Sequence, residues 1–228
     1  MDVLILIGGK GARWNNFLGV PKHRITIDGE EISQRTVRLC KELGHNPILC
    51  DGSNDINTYG IHGEIALSKE KYTKFHDSMQ LWKSEMALLY GDIWFSDEGI
   101  EKILSFKGDW AIAGRHDKPS RLGNVHKELF GFISRNEGTT LLAKTIVDLG
   151  NMKFSSMTTG SVRVKNLWGV QELLHNYPHL IKQTHEEYLK VTENHYIEVN
   201  DYTEDFDNPN DYLNFIAHKY LNFTNFPL

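Results

Sequence analysis

Apolar residues fall in two rhythms along this chain. The opening run at 2–7 (DVLILI) is unbroken and β-branched, as a strand buried on both faces requires. Residues 31–43 change period: Ile32, Val37, Leu39, Cys40 and Leu43 recur at helical spacing, and Gly44 stands where a C-terminal cap belongs. A second strand follows at 46–50, giving strand, helix, strand and so a parallel sheet. Further strands are expected at 86–90, 110–113, 128–134 and 195–199. Ser96 or Asp97 caps a helix running to about 106. Other helices are expected near 137–149, 167–175 and 178–190, and a last one at 209–220 with Pro209 in its first turn. The expected fold class is α/β: a mostly parallel, mixed sheet flanked by helices. No repeat, low-complexity tract or linker interrupts it, so one domain over 1–228 is the simplest reading.

Charge narrows the partners. The chain of 228 residues carries a net charge of −5 and 40% hydrophobic residues. That argues against a nucleic-acid partner, which calls for a basic excess or stripe. Cys40 and Cys50 match no zinc or redox spacing and are expected to be buried, reduced thiols. The opening run lacks a basic flank and a cleavage site, so it reads as a strand and not a signal peptide. No run approaches the ~18 apolar residues of a membrane span. The expected location is cytoplasmic, with no membrane partner. A homo-oligomer stays open.

The first chemistry-bearing segment is Gly8-Gly9-Lys10-Gly11-Ala12-Arg13, directly after the first strand. Glycines there let backbone N–H groups approach phosphate oxygens. The loop ends in no Lys-Ser/Thr pair, so it is not a P-loop, and it lacks the third glycine of the dinucleotide fingerprint. Arg13 offers a charged fork for phosphate, and Pro21-Lys22 a second cation on constrained backbone. Read alone, the segment serves equally as a tight strand-to-helix turn with two solvated cations.

Leu6-Ile7-Gly8-Gly9-Lys10-Gly11-Ala12-Arg13 followed by Pro21-Lys22-His23-Arg24-Ile25 resembles the signature of the GT-A-like nucleotidyltransferases. These include sugar-phosphate nucleotidyltransferases, cytidylyltransferases and molybdenum-cofactor guanylyltransferase-like proteins. Residues 25–32 continue the match as a short strand, a turn and a helix start. Ala12 departs from the usual Thr or Ser. The resemblance implies a Rossmann-like sheet of the nucleotide-diphospho-sugar transferase type. It also implies Leu6, Gly8, Gly9 and Gly11 beside the nucleotide, and Arg13 and Lys22 as catalytic cations on its phosphates.

Two acidic positions extend the resemblance. Asp92, in Gly91-Asp92, ends an expected parallel strand, where α/β proteins bind ligands. Magnesium takes hard oxygen donors, often one or two carboxylates completed by substrate phosphates. Asp207-Asn208-Pro209-Asn210-Asp211-Tyr212 is similar to the cytidylyltransferase segment D-T-P-E-D-L, whose leading Asp binds the metal. The resemblance therefore implies Mg²⁺ on Asp92 and Asp207, with Asp205 as the alternative to Asp207. On residue type alone, the acidic stretch is also a solvated loop suited to a helix N-terminus.

Weaker matches fill the interval. Ser78 corresponds to a residue near the nucleotide base, or else caps a helix. Glu128 falls in a segment that contributes to the acceptor pocket. Arg115 is assigned to the acceptor phosphate from its charge and position. The implied reaction moves a nucleoside monophosphate from an NTP, with CTP favoured, to a sugar phosphate or amino-alcohol phosphate, releasing pyrophosphate. A GT-A glycosyltransferase would need a D-x-D motif, which Gly91-Asp92-Ile93 is not. A non-catalytic nucleotide-binding relative is the other rival. His62-Gly63-Glu64 lacks the P-C-x-x-C of a deaminase, His76-Asp77 lacks the further partners of a phosphohydrolase, and no nucleophile elbow is present.

Overall fold

A computed structural model describes residues 1–7, 13–51, 64–67, 78, 81–115, 119–123, 128–138, 140–141, 144 and 196–221. Strand β1 (Asp2–Leu6) forms because its residues are apolar on both sides, and each side meets a core. Val3, Ile5 and Ile7 enter one apolar cluster and Leu4 the opposite one, the period-two consequence of the pleat. The hairpin β2 (Thr26–Ile27) and β3 (Glu30–Glu31) turns at Asp28 and Gly29, both left-handed at φ 55° and 81°. Two successive positive φ values are what a tight two-residue hairpin turn demands.

Helix α1 (Ile32–Glu42) follows and ends at Gly44, φ 77°. There the Gly44 and His45 amides donate back to the Lys41 and Cys40 carbonyls, satisfying groups the helix end would otherwise orphan. Next come β4 (Asn46–Asp51), β5 (Glu64–Leu67), β6 (Met86–Tyr90) and β7 (Ile93–Trp94). Helix α2 (Asp97–Leu104) starts at Ser96, whose hydroxyl accepts from the Gly99 amide. Strands β8 (Trp110–Arg115), β9 (Glu128–Ser134), β10 (Tyr196–Glu198) and β11 (Glu204–Asp205) precede helix α3 (Pro209–Leu221).

The main sheet has seven strands in the order β10-β8-β9-β6-β1-β4-β5. Strand β1 runs parallel to both β4 and β6, while β9 runs antiparallel to β6 and β8. The mixed, mostly parallel sheet expected from the sequence is therefore present. The chain leaves β1 for β4 on one side and later returns to β6 on the other. Such a reversal opens a crevice at the carboxyl ends of β1 and β6, the usual ligand position in α/β sheets. Among the described residues, no helix is long and apolar enough to cross a membrane.

Some expectations are adjusted. The strand expected at 110–113 continues to Arg115, and the helix expected to reach about 106 stops at Leu104. Strand β5 and the small pair β7–β11 were not anticipated. The helices expected at 167–175 and 178–190 lie outside the described residues, as does most of 137–149.

Two tests arise from the packing. Gly91 donates its amide to the Leu6 carbonyl at 2.9 Å. A Cβ there would stand 2.6 Å from Ile7 Cγ2 and 2.9 Å from the Leu6 oxygen. Gly91→Ala is therefore expected to lower stability by about 1–3 kcal/mol in urea denaturation, because a packed interior resists an added methyl. An unchanged midpoint would refute the tight approach. Burial also pushes the Cys40 and Cys50 thiols up to about 12. The reactive thiolate is then scarce at pH 8. Neither thiol should react with a maleimide in the native protein and both should after denaturation; labelling in native buffer would contradict the burial.

Candidate active site

The crevice is built from four short segments, each of which pairs charge with an apolar anchor. Trp14, Ile25, Ile27, Ile32, Trp94, Phe206 and Phe215 form one buried cluster. Arg13 immediately precedes Trp14, Lys22 lies three residues before Ile25, and Asp92 two before Trp94. Phe206, fully buried, separates Asp205 from Asp207. Its ring meets those of Tyr212 and Phe215 at 5.8 and 5.2 Å, edge to face, which ties the acidic stretch to α3. The anchors sink, so the charged neighbours are left at the rim of the same cluster.

The small ribbon β7–β11 sets the pairing. Asp205 lies opposite Ile93 and Glu204 opposite Trp94 in antiparallel register. Asp205 thus arrives beside the residue that follows Asp92. Alternation sends the two acids of β11 to different sides. Glu204 turns inward to Arg115, whose Nη2 donates to Glu204 Oε2 at 3.1 Å, with both side chains almost wholly buried. Asp205 turns to Lys22.

Behind the ribbon lies a buried hydrogen-bond network. The Ser96 hydroxyl donates to Asp201 Oδ2 at 2.6 Å and the Ser96 amide to Thr203 Oγ1 at 3.1 Å. The Thr203 amide donates to Asp201 Oδ1 at 2.7 Å. The cap of α2 and the approach to β11 are therefore one structure.

At the rim, Lys22 Nζ lies 2.7 Å from Asp92 Oδ2, 3.7 Å from Asp207 Oδ1 and 3.9 Å from Asp205 Oδ1. Arg13 grips Asp207 from outside through two contacts of 2.6 and 2.7 Å. Burial by itself would lower the Lys22 pKa, but the carboxylates of Asp92, Asp205 and Asp207 outweigh it and raise the value. Asp205 is pushed well above the ordinary carboxylate range, first by burial and then by repulsion from Asp92, with Lys22 opposing. Asp207 and, least of all, Glu128 add to that repulsion.

Arg13, Lys22, Asp92, Asp205 and Asp207 thus meet at one place, and the structure does not force a choice between the last two acids. Arg115 differs from expectation. It is 1% exposed, and its guanidinium is enclosed with Glu204 and the Thr203 carbonyl. The sequence signal that could have warned of this is Glu204, an acid one residue out of phase with Asp205 on a strand. Ser78 is buried, and its oxygen accepts from the Trp82 indole at 3.1 Å. Leu6 ends β1 at the crevice. Gly8, Gly9 and Gly11 lie outside the described residues.

The donors suit a divalent cation. They are hard carboxylate oxygens, and Asp205 Oδ1 is buried with no hydrogen-bond partner among the described residues. No set of three His, Cys, Asp or Glu side chains among the described residues is arranged to hold a metal by itself.

Solved structures share the architecture. An inositol-1-phosphate CTP transferase from T. maritima superposes at a TM-score of 0.53 with 18% identity, over 96% of each chain. The CTP:phosphocholine cytidylyltransferase of Streptococcus pneumoniae gives 0.54 and 12%, over 95% of this chain and 98% of that one. This chain shares the α/β fold of these two structures. A Bacillus anthracis structure assigned as a glucose-1-phosphate thymidylyltransferase gives 0.57 and 14%, over 100% of this chain and 98% of that one. No family model matches the chain, and no curated protein matches it in sequence. Identities this low carry the fold and leave the reaction to be argued from the site.

Proposed function

We propose that residues 1–228 form one nucleotidyltransferase domain, which moves a nucleoside monophosphate from an NTP to a small phosphorylated acceptor. The carrying observation is the meeting of Lys22 with Asp92, Asp205 and Asp207 at the carboxyl end of β6, with Arg13 beside them. Two cations beside clustered hard oxygens are what a triphosphate with its metal would need, and this supports the reading. The three structures above share this fold, and their names describe cytidylyl or thymidylyl transfer to inositol phosphate, phosphocholine and glucose 1-phosphate.

In the proposed reaction an acceptor phosphate oxygen bonds to the α-phosphorus of the NTP. The bond from that phosphorus to the bridging oxygen breaks in line, and pyrophosphate leaves with the electron pair. No protein nucleophile takes part; the protein positions the groups and neutralises charge. Lys22 holds the α-phosphate and Arg13 the pyrophosphate end. The nucleotide is assigned to Leu6 and, from the sequence resemblance, to Gly8, Gly9 and Gly11, and the acceptor to Glu128. Asp92 with Asp207 or Asp205 would hold Mg²⁺, which when bound supplies positive charge to the phosphate oxygens.

Among nucleotides CTP is favoured, on the Asp207 segment. The acceptor class is a sugar phosphate or an amino-alcohol phosphate. A pyrophosphate-release screen of four NTPs against both acceptor classes tests this. Release that requires both acceptor and Mg²⁺ is expected with CTP. Transfer of a sugar from a nucleotide sugar, or binding without release, would overturn the proposal.

A further inference from the structure

Three carboxylates brought to one rim repel each other, and the ligand-free chain answers with its own cations: Arg13 on the outer side of Asp207 and Lys22 among all three. Among the described residues, the Lys22 ammonium stands at hydrogen-bond distance from Asp92 alone, at 2.7 Å. Its distances to Asp207 and Asp205, 3.7 and 3.9 Å, are those of ion pairs without a hydrogen bond. Asp205 Oδ1 is left buried with no hydrogen-bond partner among the described residues. One ammonium therefore fills the cluster only partly, and even with Arg13 on the outer side of Asp207 two cations face three carboxylates.

The ammonium is also held at the end of a movable arm. The root of Lys22 is fixed, because Pro21 and Lys22 accept the Arg24 and Ile25 amides at 2.9 and 3.1 Å. Beyond that root runs a flexible four-carbon stem. Fixed root, mobile head and an under-filled anionic cluster are the parts of an ion-exchange device.

We propose that Lys22 is the resident counter-ion of this cluster in the ligand-free protein, and that an incoming divalent cation displaces its ammonium and releases it toward the nucleotide phosphates. This rests on the nucleotidyltransferase reading for what receives the released ammonium. The exchange itself rests only on the geometry around Lys22. It gives Lys22 two opposed effects: it weakens metal binding before nucleotide arrives and promotes transfer afterwards. A residue serving only as a phosphate contact would have the second effect and lack the first.

The test uses the full chain without nucleotide. Mn²⁺ affinity is measured by electron paramagnetic resonance for the wild type, Lys22→Met and Lys22→Arg. Lys22→Met is expected to bind about tenfold tighter or more, since a like charge a few ångströms away is removed. Lys22→Arg, which keeps the charge, is expected to bind no tighter than the wild type. In parallel, the ¹H–¹⁵N ammonium signal of Lys22 in the wild type is expected to be lost on saturation with Mg²⁺, as the ion pair opens.

Equal or weaker Mn²⁺ binding by Lys22→Met would overturn the proposal. So would an ammonium signal that persists with metal bound, and this arm stands even if a variant fails to fold. The two readings fail separately. Metal exchange without pyrophosphate release from any NTP overturns the release toward nucleotide. Pyrophosphate release with an unmoved Lys22 overturns the exchange and leaves the reaction standing.

Discussion

Asp92→Asn is expected to lower turnover by on the order of 10²–10³-fold while the protein stays folded. The substitution keeps size and shape and removes one negative oxygen from the place where the proposed site needs it. Losing one preorganised electrostatic contact at a reacting phosphate has that magnitude. Stability should change little, because the Asp92 side chain is one-third exposed and Lys22 keeps Asp205 and Asp207 as neighbours. In metal-free buffer, carboxylates gathered at one rim repel each other, and removing one acid relieves that repulsion. With Lys22 already among the carboxylates, much of that repulsion is offset. Steady-state pyrophosphate release and a thermal melt together decide the matter. Near-normal turnover in a folded variant would place the reacting centre elsewhere.

The largest expected effect on stability belongs to Arg115. Its guanidinium and the Glu204 carboxylate are buried together, 1% and 5% exposed. Removing one member strands the other charge in a poorly solvated interior. Arg115→Met should therefore cost about 3–5 kcal/mol in urea denaturation. Removing both charges, as Arg115→Met with Glu204→Leu, should restore most of that loss, because no unpaired ion remains. A single variant as stable as the double one would show that the pair is not the structural element inferred from its burial.

How far the sequence could be read follows from the range of the interactions involved. Strand β1 and helix α1 are legible because each is encoded by its own periodicity and, for α1, by the glycine after it. The crevice could be placed because strand-helix-strand order fixes a parallel sheet. Arg13, Lys22 and Asp92 were legible through a resemblance confined to short segments. The ribbon β7–β11 was not, since each strand has two residues and its only evidence is a partner 110–112 positions away. Without the ribbon, the phase of Glu204 and Asp205 is undetermined. That is why the burial of Arg115 against Glu204 is not legible in the sequence. The same gap left Asp205 and Asp207 as alternatives, whereas both reach Lys22.

The ribbon also has a bearing on how the protein comes into being. Ser96 meets Thr203 across 107 residues of sequence. During vectorial synthesis, β1, α1, β4 and β6 leave the ribosome early and can pair through comparatively short loops. Lys22 and Asp92 are then present without Asp205 or Asp207. Long-range closures come late because their loop entropy must be overcome first. A nascent chain therefore carries much of the parallel sheet while its charge centre is still half made, and that centre is completed only when the segment around Phe206 docks.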